Sequence, residues 1–250
     1  MKFFRSGTRI PGRPMGKRHW ARRALDQAQS SPKVTSDGWH AARESGHRIR
    51  LAAILAADAA GYSRLMAADE SATVAILDAA RAVFRKHIDS NQGRVIDMAG
   101  DSVLAVFSAS AHAVLAAITI QWELHAKSRA VPDDQRMRFR IGVHLSDVIE
   151  KVDGTVYGHG INVSARLEGL AEPGGIAVSD AIRNAVRGTV GASFADMGVQ
   201  SVKNIAEPLR VYRVVPVSPG EAQARPSSHA TIGLERSASV LPFTKIRGDS

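Results

Sequence analysis

A β-hairpin signature at residues 94–107, RVIDMAGDSVLAVF, is the feature that most constrains how this chain can fold. Two apolar, β-branched runs at 94–98 and 103–107 flank a short Ala-Gly-Asp-Ser link, and such runs around a tight link predict two antiparallel strands. The acidic residue Asp101 is then expected at the hairpin tip. Asp beside Gly is also ordinary turn chemistry, so this position alone does not define a site.

A second acidic residue stands in a comparable position 43 residues earlier. Asp58 follows the apolar run 51–57 and precedes a small-residue turn at 59–63, so we expect it at the end of a buried strand. If that strand lies beside the hairpin, the carboxylates of Asp58 and Asp101 meet. Two such carboxylates can hold a pair of divalent cations roughly 4 Å apart, the arrangement used for in-line displacement at phosphorus.

Periodicity along the rest of the chain predicts alternating helices and strands. Helical spacing of apolar residues predicts helices at 71–88, 111–127, 162–171 and 180–186. Alternation and short apolar runs predict strands at 51–57, 137–143, 148–151, 155–157, 176–178, 193–197 and 209–215. The expected core residues of the first two helices are Ile76, Leu77, Ala80, Phe84, Ile88, Val114, Ala117, Ile118, Ile120 and Leu124.

The order strand, helix, hairpin, helix, strand predicts the fold class. It is typical of an α+β protein with a ferredoxin-like split βαβ core, here followed by extra C-terminal α/β elements. In that topology the helices cover one face of the sheet, and the first strand is a neighbour of the hairpin. Asp58 and Asp101 are therefore expected to lie close together.

Composition excludes several kinds of site. The chain has no cysteine, which removes disulfides, zinc–thiolate centres and cysteine nucleophiles. Its nine histidines show no metal-ligand spacing, and no Ser stands in a nucleophile-elbow motif. The aromatic stacking motif of RNA-binding sheets is absent, and aromatic residues make up 5% of the chain. No apolar run approaches the ~20 residues of a membrane span, and no secretory signal begins the sequence, so we expect a cytoplasmic protein.

The formal net charge of +9 is concentrated at one end. Residues 1–50 contain twelve Lys or Arg and three Asp or Glu, whereas residues 51–250 contain 21 of each sign. We predict a basic disordered arm at 1–49, a folded domain at 50–216 and a disordered tail at 217–250. The arm is suited to bind an anionic membrane surface, and the protein would then be peripheral at a membrane. The alternatives are that the arm is an organelle-targeting segment, binds nucleic acid or only keeps the protein soluble. The balanced charge of the domain argues against nucleic acid as its partner.

Five blocks of sequence, in order, resemble the class III adenylate and guanylate cyclase catalytic domain. They read AADAAGYSRL, GRVIDMAGDSVLAVF, RIGVHLSDVI, VYGHGINVSARLEGLAEPGGIAVS and VKNIAEPLRVYRV. The resemblance implies a homodimer with two composite sites between the subunits. It also implies conversion of a nucleoside triphosphate to a 3′,5′-cyclic nucleotide and pyrophosphate, with two Mg²⁺ or Mn²⁺ ions per site.

The resemblance assigns roles at the phosphate end of the site. Asp58 and Asp101 match the two metal-binding aspartates, with Ala59 beside them at the metal site. The turn that follows would offer its backbone N–H groups to the triphosphate, through Gly61, Tyr62 and Ser63. Lys203 matches a lysine that contacts the same phosphates.

The resemblance also assigns the groups that act on the reacting atoms. Asn162 and Arg166 match the pair that orients the ribose and stabilises the charge growing on the α-phosphate. Their spacing of four residues puts them on one face of a helix. Without the resemblance, an Asn and an Arg four residues apart on a surface helix would more often be solvated side chains than parts of a site.

Base recognition departs from the family's patterns at one position. Asp97 stands where adenylate-forming members have Lys, and Thr155 stands where they have Asp or Thr. Guanylate-forming members have an acidic and a small polar residue at these positions. The Asp97 carboxylate accepts hydrogen bonds and the Thr155 hydroxyl can donate one, which fits the donors and the acceptor of guanine. The same pair fits adenine if the two residues exchange the base atoms that they contact. The blocks as a whole look most like bacterial adenylate cyclases, so ATP is the first expectation, with GTP or a catalytically silent nucleotide-binding homologue as alternatives.

Overall fold

The computed structural model describes residues 47–201, 205 and 207–216. The predicted arm (apart from residues 47–49), the predicted tail at 217–250 and Lys203 lie outside these residues. The domain boundaries at residues 50 and 216 therefore stay predictions. In the part of the chain that is described, no helix is long and apolar enough to cross a membrane.

The described residues form strands and helices that alternate through one mixed sheet. In chain order the elements are β1 (Arg48–Ala60), α1 (Tyr62–Ala68), α2 (Glu70–Ser90), β2 (Gly93–Asp97), β3 (Ser102–Phe107), α3 (Ser110–Ser128), β4 (Arg138–Glu150), β5 (Val156–Tyr157), α4 (His159–Leu170), β6 (Ile176–Ser179), α5 (Asp180–Ala185), β7 (Ala192–Gln200) and β8 (Leu209–Pro216). The sheet order is β2-β3-β1-β4-β6-β8-β7, and β5 pairs with β4. This architecture confirms the predicted α+β class.

Strand β1 is central and is buried on both faces. It pairs antiparallel with β3 over residues 53–58 and with β4 over its whole length. On one face, Ala53, Leu55 and Ala57 pack with α2 and α3. On the other face, Ala52, Ile54 and Ala56 belong to a second cluster that includes Ile161 of α4. A strand covered on both faces needs a continuous apolar run, and residues 52–57 supply it, whereas Leu51 at its start is 57% exposed.

The second cluster corrects one expectation about the layers. We expected helices on one face only, but α4 covers the opposite face across β1 and β4. The reason is that α4 has its own buried side, formed by Gly160, Ile161, Val163, Ser164, Leu167 and Glu168. The sheet is therefore enclosed by α2 and α3 on one side and by α4 on the other.

Several predicted boundaries also shift. The strands expected at 137–143 and 148–151 are one 13-residue strand, because β1 is equally long and pairs with β4 from Arg48–Glu150 to Ala60–Arg138. Helix α4 begins three residues earlier than predicted. Ile76, expected in the core, is 37% exposed because the buried stripe of α2 runs through Leu77, Ala80, Phe84 and Ile88. Leu124 is only partly buried.

Two glycines let α4 lie directly on the sheet. A Cβ added to Gly142 of β4 would lie 2.2 Å from both the Ser164 carbonyl oxygen and the Glu168 amide nitrogen of α4. A Cβ on Gly160 would lie 2.4 Å from the Ser146 side chain. The clashes at Gly142 are with backbone atoms, so no side-chain rotation relieves them. The closeness of α4 to the sheet therefore depends on the missing side chain at Gly142.

We predict that Gly142→Ala displaces α4 and lowers the free energy of unfolding by about 1 to 3 kcal/mol, as is usual for overpacking. Gly169→Ala is the matched control, because an added Cβ there has nothing within 4 Å. That change should be neutral or gain up to about 1 kcal/mol from helix propensity. Urea denaturation of both variants measures the difference. Equal stability of the two variants would show that Gly142 does not set the helix position.

Candidate active site

Asp58 on β1 and Asp101, the residue before β3, are held next to each other by hydrogen bonds between the two segments. Asp58 of β1 stands opposite Ser102 of β3, and the Ser102 hydroxyl donates to Asp58 Oδ1 at 2.8 Å. The amide of Ala59 donates to the carbonyl oxygen of Asp101 at 3.2 Å. The structure thus brings the two predicted metal residues to one corner of the sheet.

The surroundings of Asp58 differ from the expected turn. Asp58 was expected to end its strand, but β1 continues to Ala60 because Ala59 and Ala60 still pair with Phe139 and Arg138 of β4. The turn at 59–63 is reduced to Gly61, whose φ of 73° is left-handed and favours glycine. Helix α1 begins at the next residue and is anchored by buried Leu65. The strand end, the turn and the helix start are therefore compressed into four residues.

The hairpin tip is braced from α2 and shielded from water. Asp101 is 9% exposed. The Arg81 guanidinium on α2 donates from Nη2 to the Gly100 carbonyl at 2.6 Å, and the Ser102 amide donates to the Ala99 carbonyl at 3.2 Å. These bonds hold the backbone on both sides of Asp101.

Tyr62, the first residue of α1, lies in the field of Asp101. Burial raises the pKa of Tyr62, and the negative charge of Asp101 raises it further. The Tyr62 hydroxyl therefore keeps its proton throughout the physiological range. Gly61 precedes α1 and Ser63 is the second residue of this helix, so the three phosphate-contacting residues predicted in this segment lie beside the Asp58–Asp101 corner.

Arg140 is a functional candidate that the sequence interpretation did not select. It stands opposite Asp58 in the β1–β4 pairing, and its Nε is buried with no hydrogen-bond partner among the described residues. The alternation of apolar and basic residues along β4 indicates this position in the sequence, because Phe139 and Ile141 fill the core face and leave Arg140 on the face of Asp58. A guanidinium with an unused N–H beside a carboxylate is suited to an oxyanion such as phosphate.

Asn162 and Arg166 lie on α4, and Asn162 is at the end of this helix that is further from the Asp58–Asp101 corner. Both are half-buried and lie outside the side that α4 packs on the sheet. The start of α4 is located by Gly160, which packs beside Ile54. Asp58 is four residues further along β1, about 13 Å at the ordinary rise of a strand. The structure therefore does not bring Asn162 to the Asp58–Asp101 pair of its own chain.

The two predicted base-reading residues lie at the edges of strands. Asp97 is exposed, ends β2 and pairs with Leu104 after a bulge that follows Val95. Thr155 belongs to the turn between β4 and β5, where its carbonyl accepts from the Lys151 amide and its amide donates to Asp153 Oδ1, both at 2.9 Å. Hydrogen bonds from the Thr155 amide and then its hydroxyl lower the pKa of Asp153. The turn therefore fixes the backbone of Thr155.

The two carboxylates of Asp58 and Asp101 are too few to enclose a metal ion by themselves, but they suit an ion that is also bound by nucleotide phosphates. Among the described residues, no group of three or more His, Asp or Glu side chains could hold an ion. Asp58 and Asp101 supply two carboxylates, and Mg²⁺ at phosphate sites is commonly held by one or two carboxylates together with substrate phosphates. The residues fit that kind of site.

The sequence of the chain matches a known family and a curated relative. The model of the adenylate and guanylate cyclase catalytic domain matches residues 46–215. The chain is 40% identical over 213 residues to the Rhizobium meliloti (strain 1021) protein named "Putative adenylate cyclase 3", which covers 83% of this chain and 36% of that protein. The chain thus spans about a third of the length of this curated relative.

Solved structures extend the comparison to the fold. The crystal structure of an adenylate/guanylate cyclase/hydrolase from Silicibacter pomeroyi is 37% identical, with a TM-score of 0.64, and covers 68% of this chain and 99% of that one. The guanylyl cyclase Cya2 has the same fold at 20% identity and a TM-score of 0.61, covering 70% of this chain and 96% of its own. The family match, the identity to these relatives and the shared architecture agree: this chain belongs to the adenylate and guanylate cyclase catalytic domain family.

Proposed function

We propose that this chain is a nucleotidyl cyclase that converts ATP to 3′,5′-cyclic AMP and pyrophosphate. The observation that carries the proposal is the fixed pair Asp58 and Asp101, held by the Ser102–Asp58 and Ala59–Asp101 hydrogen bonds. Two carboxylates at one corner, with a helix start and an unpaired arginine N–H beside them, suit a triphosphate and its metal ions.

Asp58 and Asp101, with the backbone at Ala59, would hold two Mg²⁺ or Mn²⁺ ions. Such ions lower the pKa of the ribose 3′-hydroxyl and neutralise the leaving pyrophosphate. Ser102 keeps one oxygen of Asp58 oriented by its hydrogen bond. The hydrogen bond from Arg81 of α2 to the Gly100 carbonyl holds the backbone beside the second carboxylate.

The phosphates of the nucleotide would be bound by cationic and backbone donors around this corner. Arg140 supplies an unused guanidinium N–H next to Asp58. The backbone of Gly61, Tyr62 and Ser63 supplies donors at the start of α1. Lys203 is proposed as a further contact from the family resemblance and lies outside the described residues.

Asn162 and Arg166 would complete the site from a second copy of the chain. Both lie on α4, whose first turn, which carries Asn162, packs beside Ile54, four residues before Asp58 of the same chain. A homodimer related by two-fold symmetry would place each α4 opposite the partner's metal corner and generate two equal sites. Arg166 would then stabilise the charge that develops on the α-phosphate, and Asn162 would orient the ribose.

ATP is proposed as the substrate because the 40% identical relative is named as an adenylate cyclase. GTP is the second candidate, favoured by Asp97, whose carboxylate accepts hydrogen bonds of the kind that guanine N1–H and N2–H donate. Asp97 is exposed in the single chain, so a partner or a nucleotide can reach it.

Asp58→Asn and Asp101→Asn should each lower kcat/KM by at least two to three orders of magnitude, equivalent to about 3 to 4 kcal/mol of transition-state stabilisation. Each change removes a metal-binding charge without changing the size of the side chain. The measurement is cyclic nucleotide formation from ATP and from GTP with Mn²⁺. Asp89→Asn, an exposed acid on α2, is the control and should retain activity.

A verified dimer of the unmodified chain that makes no product would refute the cyclase proposal, and metal-dependent nucleotide binding without turnover would identify a silent homologue.

Mixing an Asp101→Ala chain with an Arg166→Ala chain should restore activity to two inactive proteins. Each heterodimer would contain one site with both residues intact and one site with neither. The test is cyclic nucleotide formation after subunit exchange, with exchange itself verified by differently tagged chains. A mixture that stays as inactive as its components despite exchange would show that the sites are not composite.

Asp97→Lys should raise the ATP/GTP ratio of kcat/KM by about ten-fold or more if Asp97 contacts the base. The lysine supplies a donor that adenine can use and leaves guanine N1–H facing a cation. Side-by-side kinetics with ATP and GTP on the variant and the unmodified chain measure the ratio. An unchanged ratio would mean that Asp97 does not face the base.

A further inference from the structure

A cluster of charged groups joins three strands at the end of the sheet opposite the metal corner. Glu150, the last residue of β4, accepts a hydrogen bond from Arg50 Nε of β1 at 2.6 Å, and its other oxygen accepts from Arg94 Nη2 of β2. The hydrogen bond from Arg50, together with the charges of Arg50 and Arg94, lowers the pKa of Glu150. The cluster is therefore ionised at neutral pH.

Arg94 extends this cluster to the turn between β4 and β5. Its Nη1 donates to the Gly154 carbonyl at 2.8 Å. Gly154 has a φ of +81°, and a Cβ added there would lie 3.2 Å from Arg94 Nη1. Glycine is thus required by the backbone, and it also permits the close approach of the guanidinium. One planar side chain holds both the end of β4 and the carbonyl next to Thr155.

A bulge in β2 puts Arg94 on the same face of the sheet as Asp97. Residues three apart in a regular strand face opposite sides. Here Arg94 pairs with Val106 and Asp97 pairs with Leu104, and the register shifts between Val95 and Asp97. Val106 and Leu104 are two residues apart on β3 and belong to one apolar cluster. The extra residue in β2 therefore puts the Asp97 side chain on the same face of the sheet as Arg94, which holds the turn that contains Thr155.

We propose that Arg94 is a positioning residue for base selection: by joining β2 to the turn at Gly154, it fixes the distance between Asp97 and Thr155. This inference rests on the proposed function, since it deepens the role of the same base site. Asp97 ends β2 and Thr155 lies in the turn after β4, so a direct link between β2 and this turn constrains their relative position in addition to the pairing of the sheet. Arg94 provides that link through Glu150 and Gly154.

The test compares Arg94→Met, which removes the link, with Arg94→Lys, which keeps the charge but lacks the planar fork needed to reach both partners. In Arg94→Met the ATP/GTP ratio of kcat/KM should move towards 1 by about ten-fold. Inhibition by inorganic pyrophosphate, which has no base, should stay unchanged. Hydrogen exchange at the Lys151 and Gly154 amides, which close the turn, should accelerate about ten-fold as the turn opens more often. Arg94→Lys should share these changes in part, whereas Arg85→Met, an exposed arginine on α2, should show none.

An unchanged nucleotide ratio in Arg94→Met, or an Arg94→Lys variant that behaves like the unmodified chain, would overturn the inference. Weaker inhibition by pyrophosphate would also overturn it, because the effect would then reach the phosphate end and not the base alone. If the unmodified chain makes no cyclic nucleotide, the proposed function fails. Hydrogen exchange then tests by itself whether Arg94 holds the turn at Gly154. If Arg94→Met leaves exchange at the Lys151 and Gly154 amides unchanged, Arg94 does not hold the turn. If Arg94→Met does not fold, Arg94→Lys carries the same measurements.

Discussion

The double pairing of β1 is the constraint on which the rest of the structure depends. Because β1 is hydrogen-bonded to β3 on one side and to β4 on the other, its position fixes the hairpin, the long strand β4 and the start of α1 together. Asp58 lies within this paired segment and not on a loose loop. Its backbone is therefore held by strand pairing on both sides and its carboxylate by the Ser102 hydroxyl, which would lower the cost of ordering it in the proposed metal site.

Close packing determines which residues one chain can bring together. The contact of α4 with Gly142 fixes the helix against β4, so Asn162 cannot move to the Asp58–Asp101 corner without separating helix and sheet. A site that needs Asn162 beside this corner would have to take the two parts from two chains. The same close packing is the physical argument for the composite site proposed above.

Much of the fold could be predicted from the sequence because its signals are local. The hairpin, the buried run of β1 and the helical stripe through Leu77, Ala80 and Phe84 follow from periodicity alone. The continuity of β4 and the second helical layer could not be predicted, since both depend on partners distant in sequence. Within the site, the Asp58–Asp101 pair was predictable from topology. Arg140 was visible as an alternating residue, but only the register opposite Asp58 gives it a role.

The bulge in β2 shows why residue identity alone does not decide which base is bound. Counting along a regular strand puts Arg94 and Asp97 on opposite faces, and nothing in the letters RVID indicates the extra residue. Hydrogen bonding to a base depends on distances within a few tenths of an ångström, and in the proposed site these would be set by the strand and the turn that carry Asp97 and Thr155. An acceptor at residue 97 is compatible with either purine. Base selectivity would then depend on how rigidly β2 and the turn are joined, and Arg94 makes a direct link between them without having to contact the nucleotide.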